Sequence, residues 1–454
     1  MARRRNTPPR SAPKLVFADA AGNLYDHPTL EAAICVGDHP ERAAPGTFRA
    51  LPSNGASASV SALPGRSPVG VDPETGTLEV LDAVRVGGTK IRPVAVAALF
   101  PPGWTRTNLP AFHTSGLAPV LPLYGYAAAG WSGGRLVAAG LRTDPREHWD
   151  PALFSTPDLK NRVEARIAED PTNRVLHQTA RCALDYRCFT AQNVFYRRWE
   201  GAIPMSPACN ASCVGCISEQ DPETGPPPSQ WRIAEGPSVD ECVRMTVPHF
   251  EGAGAGAIVS FGQGCEGEPT LRADAMADVC RAVRKKTAKG TLHVNTNGSR
   301  PEVWAPLKAA GLDSCRVSLN AAEKSVYESY YRPTGYAWEH VAETVREAKR
   351  VGLFVSLNLL VFPGVSDSPA QAKALIDFVA ETKPDCIQTR NLCIDPAAYL
   401  ACLPDDERGD DPIGMTVLLA ELVRAHPKIK IGNYNVPREE WKKPLLASDV
   451  AALA

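Results

Sequence analysis

Along the second half of the chain, short apolar runs alternate with segments whose apolar residues recur every three or four positions. Ala257-Ile258-Val259-Ser260-Phe261, Leu292-His293-Val294, Ser314 to Leu319, Phe354 to Val361 and Cys386-Ile387-Gln388 read as buried strands. Ala273 to Lys286, Pro301 to Ala310, Trp338 to Val351, Ser368 to Glu381 and Ile413 to Ala425 carry helical periodicity. A capping box, Ser238-x-x-Glu241, opens a further helix through Val243, Val247 and Phe250, and Ala202 to Ser206 supplies the strand before it. That makes six strand–helix units. Such alternation implies parallel strands joined by right-handed crossovers, so the expected fold is α/β, a partial (β/α)6 TIM-like barrel. Lys428 to Ile431 is a candidate added strand.

The first half has a different pattern. Leu15 to Ala18, Val69 to Val71, Thr77 to Leu81 and Leu136 to Ala139 are strand-like runs separated by turn signals such as Pro73-Glu74-Thr75-Gly76. From Asp158 the character becomes helical, with Leu159, Val163 and Ile167 on one face. The expected organisation is a disordered basic tail over 1–13, a smaller β-rich domain over 14–150 and a helical connector over 151–200. The partial barrel follows over 201–436, then a tail over 437–454.

Composition narrows the functional classes. Over 454 residues, 49 Lys plus Arg balance 50 Asp plus Glu, so no global field recruits nucleic acid or an anionic membrane. No run reaches the roughly 20 apolar residues of a membrane span, and no apolar stretch follows the basic N-terminus. The 13 cysteines are sparse for a disulfide scaffold. Their clustering toward the middle reads as metal chemistry in a reducing compartment, with the cytoplasm as the default location.

Chemistry concentrates in Cys209-Asn210-Ala211-Ser212-Cys213-Val214-Gly215-Cys216. A loop of this length can bring three thiolates to an iron–sulfur cubane and offers no fourth cysteine nearby, which leaves one iron open. Ligand sites in parallel α/β folds form at the carboxyl ends of strands. After the second expected strand stands Gly262-Gln263-Gly264-Cys265-Glu266-Gly267-Glu268-Pro269, whose glycines admit close approach of a ligand and whose carboxylate can accept from a cationic amine. Asn295-Thr296-Asn297 and Ser318-Leu319-Asn320 follow the next two strands, and Gln388 and Arg390 end the sixth. Asn and Ser beside Gly are also ordinary turn formers.

The cysteine spacing resembles the signature of the radical S-adenosylmethionine (radical SAM) superfamily, over roughly residues 202–436. The resemblance implies Cys209, Cys213 and Cys216 as ligands of a [4Fe-4S] cluster whose open iron binds the amino and carboxylate groups of S-adenosylmethionine. Gly267, Glu268 and Pro269 match the Gly-Gly-Glu motif that holds the methionine amino group, with Glu266 in place of its first glycine. Ser318 and Asn320 fall at positions that contact ribose and carboxylate, and Asn295 and Asn297 are further candidates. Gly215 stands where an aromatic residue usually precedes the third cysteine, and Phe362 is the alternative neighbour for adenine.

An enzyme of this kind cleaves S-adenosylmethionine to a 5′-deoxyadenosyl radical that abstracts hydrogen from a substrate, here unknown. Its partner is an electron donor such as ferredoxin or flavodoxin. Two other classes remain open: a non-catalytic iron–sulfur electron carrier or sensor, and a structural zinc protein, although zinc sites usually close with four ligands. Cys182, Cys188 and Cys393 are either buried thiols or ligands of a second iron–sulfur cluster. Arg332 and the tyrosines Tyr327, Tyr330 and Tyr331 either face a substrate or pack.

Overall fold

The computed structural model describes residues 12–51, 59–114, 116, 118–223, 225–407, 411–444 and 449–452. The tail expected over 1–13 lies outside them except for its last two residues, and the tail over 437–454 lies outside them in part. Seven strands form one parallel sheet in chain order. They are β1 (Glu200–Ala202), β2 (Ile258–Phe261), β3 (Thr291–Thr296), β4 (Ser314–Leu319), β5 (Phe354–Val361), β6 (Cys386–Asn391) and β7 (Lys430–Gly432). The crossovers carry α1 (Val239–Gly252), α2 (Ala273–Lys286), α3 (Trp304–Ala309), α4 (Lys324–Tyr331), α5 (Trp338–Arg350), α6 (Pro369–Thr382), α7 (Pro396–Cys402) and α8 (Met415–Ala425). This is the α/β partial barrel expected from the alternation, extended by β7. Strands such as β5 are apolar over nearly their whole length because both faces are covered, as parallel sheets require.

The first strand differs from expectation. It ends at Ala202, not Ser206. Ile203 still donates to Ser260 O at 2.9 Å, but Pro204 has no N–H for the ladder. The next donors, Met205 N and Ser206 N, turn to the carboxylate of Glu266 at 2.6 and 2.9 Å. Two short helices, α4 and α7, also stand where the periodicity marked none.

Among the described residues between 14 and 142, Val84–Val86 pairs separately with Thr89–Ile91, and fourteen other strands build one antiparallel sheet. Its longest strand, Leu24–Val36, was not expected, because Asp26, His27 and Pro28 interrupt the apolar alternation on its exposed half. Three helices follow, Leu159–Glu169, Arg174–Leu184 and Phe189–Tyr196.

The antiparallel region grips the carboxyl end of β6 through polar bonds. Thr105 Oγ1 meets Thr389 Oγ1 at 2.7 Å. The buried Arg106 donates to the carbonyls of Tyr126, Leu392 and Val361 at 3.0, 3.0 and 3.3 Å. Arg66 pairs with Asp395 at 2.8 Å, with both side chains under 5% exposed.

Helix α1 begins with the expected capping box: Ser238 Oγ accepts from Glu241 N, and the Glu241 carboxylate accepts from Ser238 N. That carboxylate also takes Arg174 Nε and Nη2 at 2.9 and 2.8 Å, tying the second connector helix to the barrel. The Arg174 bonds, then those from Ser238, hold the Glu241 carboxyl well below its ordinary 4.5. A depressed folded pKa gives stability that is present above pH 4.5 and drains away as pH falls further. Glu241→Gln is therefore expected to cost about 1–2 kcal/mol at pH 7, the half-exposed Arg174 limiting the loss. Urea midpoints of the two proteins should converge as pH drops toward the acid limb. A constant gap across pH would refute this linkage.

Candidate functional site

The cysteine loop hangs from β1 without regular structure, held by backbone bonds to its neighbours. Ser212 N and Val214 N donate to Tyr331 O and Tyr330 O at 3.1 and 3.0 Å, and Thr334 N donates to Asn210 O at 2.9 Å. From the other side, Gly267 N and Glu268 N donate to Ser206 O and Ala208 O at 2.7 and 2.9 Å. The loop and the Gly267-Glu268 segment thus lie edge to edge. Gly267 has to be glycine there, since a Cβ would sit 2.0 Å from Ala208 O.

Cys209, Cys213 and Cys216 are all half-buried. Burial raises the Cys209 thiol to about 11, with the charge of Glu268 adding to it. Burial raises Cys213 further, followed by the charges of Cys216 and Cys209. Cys209 and Cys213, whose ionisation burial and neighbouring negative charge oppose, are stabilised as thiolates by a multivalent cation. Among the described residues no three His, Cys, Asp or Glu side chains converge on a single ion. A cubane does not ask for that, because each thiolate takes a different iron, whereas a zinc ion gathers its ligands at about 2.3 Å or less. The donor set fits the cluster.

Glu268 is buried, 3% exposed. Its Oε1 accepts from Thr270 N, Thr270 Oγ1 and Thr296 Oγ1 at 3.0, 2.6 and 2.7 Å. Its Oε2 accepts from Asn297 N alone, at 2.7 Å. Desolvation raises this carboxyl against the pull of those donors. The more lightly used oxygen retains acceptor capacity, and a cation placed against it would offset the cost of burial. Pro269 opens the short 3-10 turn that Glu268 caps.

Glu266 points the other way. Both its oxygens take backbone N–H groups, from Met205, Ser206 and Gly262. The side chain in the glycine position of the motif is thus a clasp between the segments leaving β1 and β2.

The remaining expected residues divide. Ser318 is half-buried and accepts from Asn358 Nδ2 at 3.1 Å. Asn320 donates to Val326 O and Tyr399 Oη, both at 3.1 Å. Asn320 Oδ1 and Asn358 Oδ1 are buried with no partner, a costly state that a ligand hydroxyl would relieve. Asn295, by contrast, is engaged at both ends, donating to Phe261 O and meeting His293 Nε2, each at 3.1 Å. Its amide joins β2 to β3. Asn297 bonds Asn210 Oδ1 at 2.8 Å and so links the loop after β3 to the cysteine loop.

Two expectations are corrected. Phe362 is fully buried, capped by Arg106 5.2 Å from its ring centre and by Tyr399 at 4.6 Å, and has no face left for adenine. The aromatic group near Gly215 is instead Tyr330 of α4, whose hydroxyl would lie 2.7 Å from a Cβ at that position. Cys393 does not join Cys182 and Cys188: its charged neighbours are Arg106 and Arg390, while Cys182 and Cys188 neighbour Cys265. Tyr327, Tyr330 and Tyr331 are buried packing residues around Cys213. Arg332 lines a 390 Å³ cavity shared with Cys213, Cys216 and Leu121.

Sequence reasoning missed Arg232, whose guanidinium bonds Ser218 Oγ at 3.0 Å and reaches Cys216 Sγ at 3.7 Å. It also missed Thr270 and Thr296, which brace Glu268. Thr296 stands inside the Asn-Thr-Asn stretch already singled out, so its place at a strand end was the available signal.

Parallel strands carrying a three-cysteine loop after the first and a cradled carboxylate after the second define a radical SAM domain. Residues 203–376 match the family described as the Radical SAM superfamily. A probable GTP 3′,8-cyclase of Thermococcus kodakarensis is 37% identical over 182 residues, 40% of this chain and 52% of that protein. The mitochondrial GTP 3′,8-cyclase of Arabidopsis thaliana is 28% identical over 190 residues, 41% of this chain and 44% of that protein. The chain thus spans about half the length of these relatives. Among solved structures, HydG, a maturase of the [FeFe]-hydrogenase, aligns with a TM-score of 0.37 and 14% identity over 62% of this chain and 66% of that one. Superfamily members use a [4Fe-4S] cluster and S-adenosylmethionine. No helix among the described residues is long and apolar enough to cross a membrane.

Proposed function

We propose that the chain is a radical SAM enzyme with its chemistry in the region 201–436, the 14–150 and 151–200 segments serving as flanking domain and connector. The observation that carries this reading is the buried carboxylate of Glu268, cradled by four donors and hydrogen-bonded through its own N–H to the loop bearing Cys209, Cys213 and Cys216. An electron carrier or sensor has no use for an amine-binding carboxylate beside its cluster.

Cys209, Cys213 and Cys216 hold the [4Fe-4S] cluster in this reading. Held by these three thiolates, the cluster would supply the electron for reductive cleavage of S-adenosylmethionine. Glu268 receives the methionine ammonium, with Gly267 and Pro269 setting its approach. Ser318, Asn320 and Asn358 offer hydrogen bonds to the ribose and carboxylate, and Asn295 keeps the ends of β2 and β3 in register beneath them. The tyrosines of α4 exclude water from the Cys213 side. The electron comes from a carrier of the ferredoxin or flavodoxin class, and the near-neutral chain gives no support to a nucleic-acid partner.

The test is anaerobic incubation of the reconstituted protein with S-adenosylmethionine and dithionite. Release of 5′-deoxyadenosine is expected. A preparation with an intact cluster that neither binds S-adenosylmethionine nor cleaves it would overturn the proposal in favour of a carrier or sensor.

A further inference from the structure

On either side of the row of Ser318, Asn358 and Gln388, the inner face of the sheet carries an arginine. The register sets Ser318 opposite Asn358 and Asn358 opposite Gln388, with Arg316 opposite Ser356 and Leu360 opposite Arg390. Successive side chains alternate faces in a strand, so Arg316 and Arg390 share the face of Ser318. Arg316 Nη1 donates to Gln388 Oε1 at 2.9 Å across that face. Arg390 Nη1 donates to Asn433 O and Oδ1 at 2.7 and 3.1 Å. Both arginines are only half-buried although they stand on inner strands.

Neither guanidinium pairs with a carboxylate among the described residues, and Arg316 Nε is buried with no partner. Arg66 and Arg146, also buried, are bound to Asp395 and Asp144 at 2.8 and 2.6 Å, and the buried Arg106 spends its donors on three carbonyls, whereas Arg316 makes one bond, to Gln388. Burial, then the charge of Arg390, depresses Arg316 to about 10. The other ionisable groups nearby offset this only in part. His293 is held neutral, its pKa pushed down to about 3 by burial. Glu200, whose Oε1 takes Ser260, Gln263 and Asn435, lends Arg316 part of its charge without an ion-pair contact, one carboxylate against two guanidinium groups.

We infer that Arg316 and Arg390 form the anion-binding end of the substrate site, so that the substrate carries a carboxylate or phosphate group. Two planar guanidinium forks with unused donors suit bidentate recognition of either group. The anion would lie on the same inner face as Ser318, which presents the rest of the substrate to the reactive end of S-adenosylmethionine. The inference rests on the radical SAM reading for that last placement only.

The test uses the full chain with its cluster reconstituted anaerobically and titrates it calorimetrically with inorganic phosphate and with succinate. One of these is expected to bind, and which one does separates the phosphate class from the carboxylate class. Arg316→Gln and Arg390→Gln should each weaken that binding by at least about ten-fold. Arg316→Lys, which keeps the charge and loses the fork, serves as a second variant and should fall between. Binding of S-adenosylmethionine, titrated in the same preparations, should be unchanged in all of them. If neither anion binds, or if folded Gln variants bind it as well as the parent, the inference is overturned. Anion binding that is lost in the variants, in a protein that fails to bind S-adenosylmethionine, would sink the radical SAM reading and leave the anion site standing.

Discussion

Glu268→Gln is expected to cut the affinity for S-adenosylmethionine by about 100-fold or more and to suppress 5′-deoxyadenosine release in parallel. Two losses combine. The amide cannot supply a negative charge to the ligand ammonium, and a charge-assisted bond in a desolvated site is worth roughly 2–4 kcal/mol. The amide also presents one acceptor where the carboxylate presents two, so either Asn297 N or the Thr270 and Thr296 donors face an NH2 group. That second loss destabilises the fold by about 1–3 kcal/mol. Measuring both quantities separates the roles: iron content and melting should survive at working temperature while ligand affinity collapses. A folded, cluster-bearing variant that binds S-adenosylmethionine like the parent would remove Glu268 from the site.

The second large effect is on stability. Asp395 caps α7 through Ala397 N at 2.9 Å and receives Arg66 Nη2 and Leu121 N, each at 2.8 Å. Asp395→Asn leaves the Arg66 guanidinium buried without its counter-charge, a state that costs about 3–5 kcal/mol when the pair is this deep. Because the pair bridges the antiparallel sheet and the barrel, the loss should appear as a lowered urea midpoint and as earlier proteolysis near residues 118–123. Replacing both partners with apolar residues, Arg66→Met with Asp395→Leu, should recover much of the loss. A single variant within about 0.5 kcal/mol of the parent would mean that water reaches the pair.

What could be read from the sequence follows from how local each signal is. Strands β2 to β6 and most of their helices show in the chain because two-sided burial and helical periodicity are written in consecutive residues. The displaced end of β1 turns on Pro204 and on the Glu266 carboxylate, 61 residues from Met205 and 60 from Ser206. Helix α4 escaped because a short run rich in tyrosine has no clear period. At the candidate site, the cysteine spacing and Gly267-Glu268-Pro269 are contiguous and therefore visible. Tyr330 against Gly215, Arg232 against Cys216 and Thr296 under Glu268 are meetings of distant segments, and no pattern along the chain announces them. Phe362 illustrates the converse: its place after β5 suggested an adenine neighbour, yet Arg106 from the first half of the chain covers it.

Glu266 bears on how such chains are found. A search pattern that requires glycine at that position would pass over this chain, although Glu266 itself knots the ends of two strands beside the cysteine loop. Restoring the common glycine here would untie three backbone N–H groups. The informative pattern for relatives of this chain is therefore a pair of acids two apart with opposite duties, the first facing the backbone and the second facing the ligand.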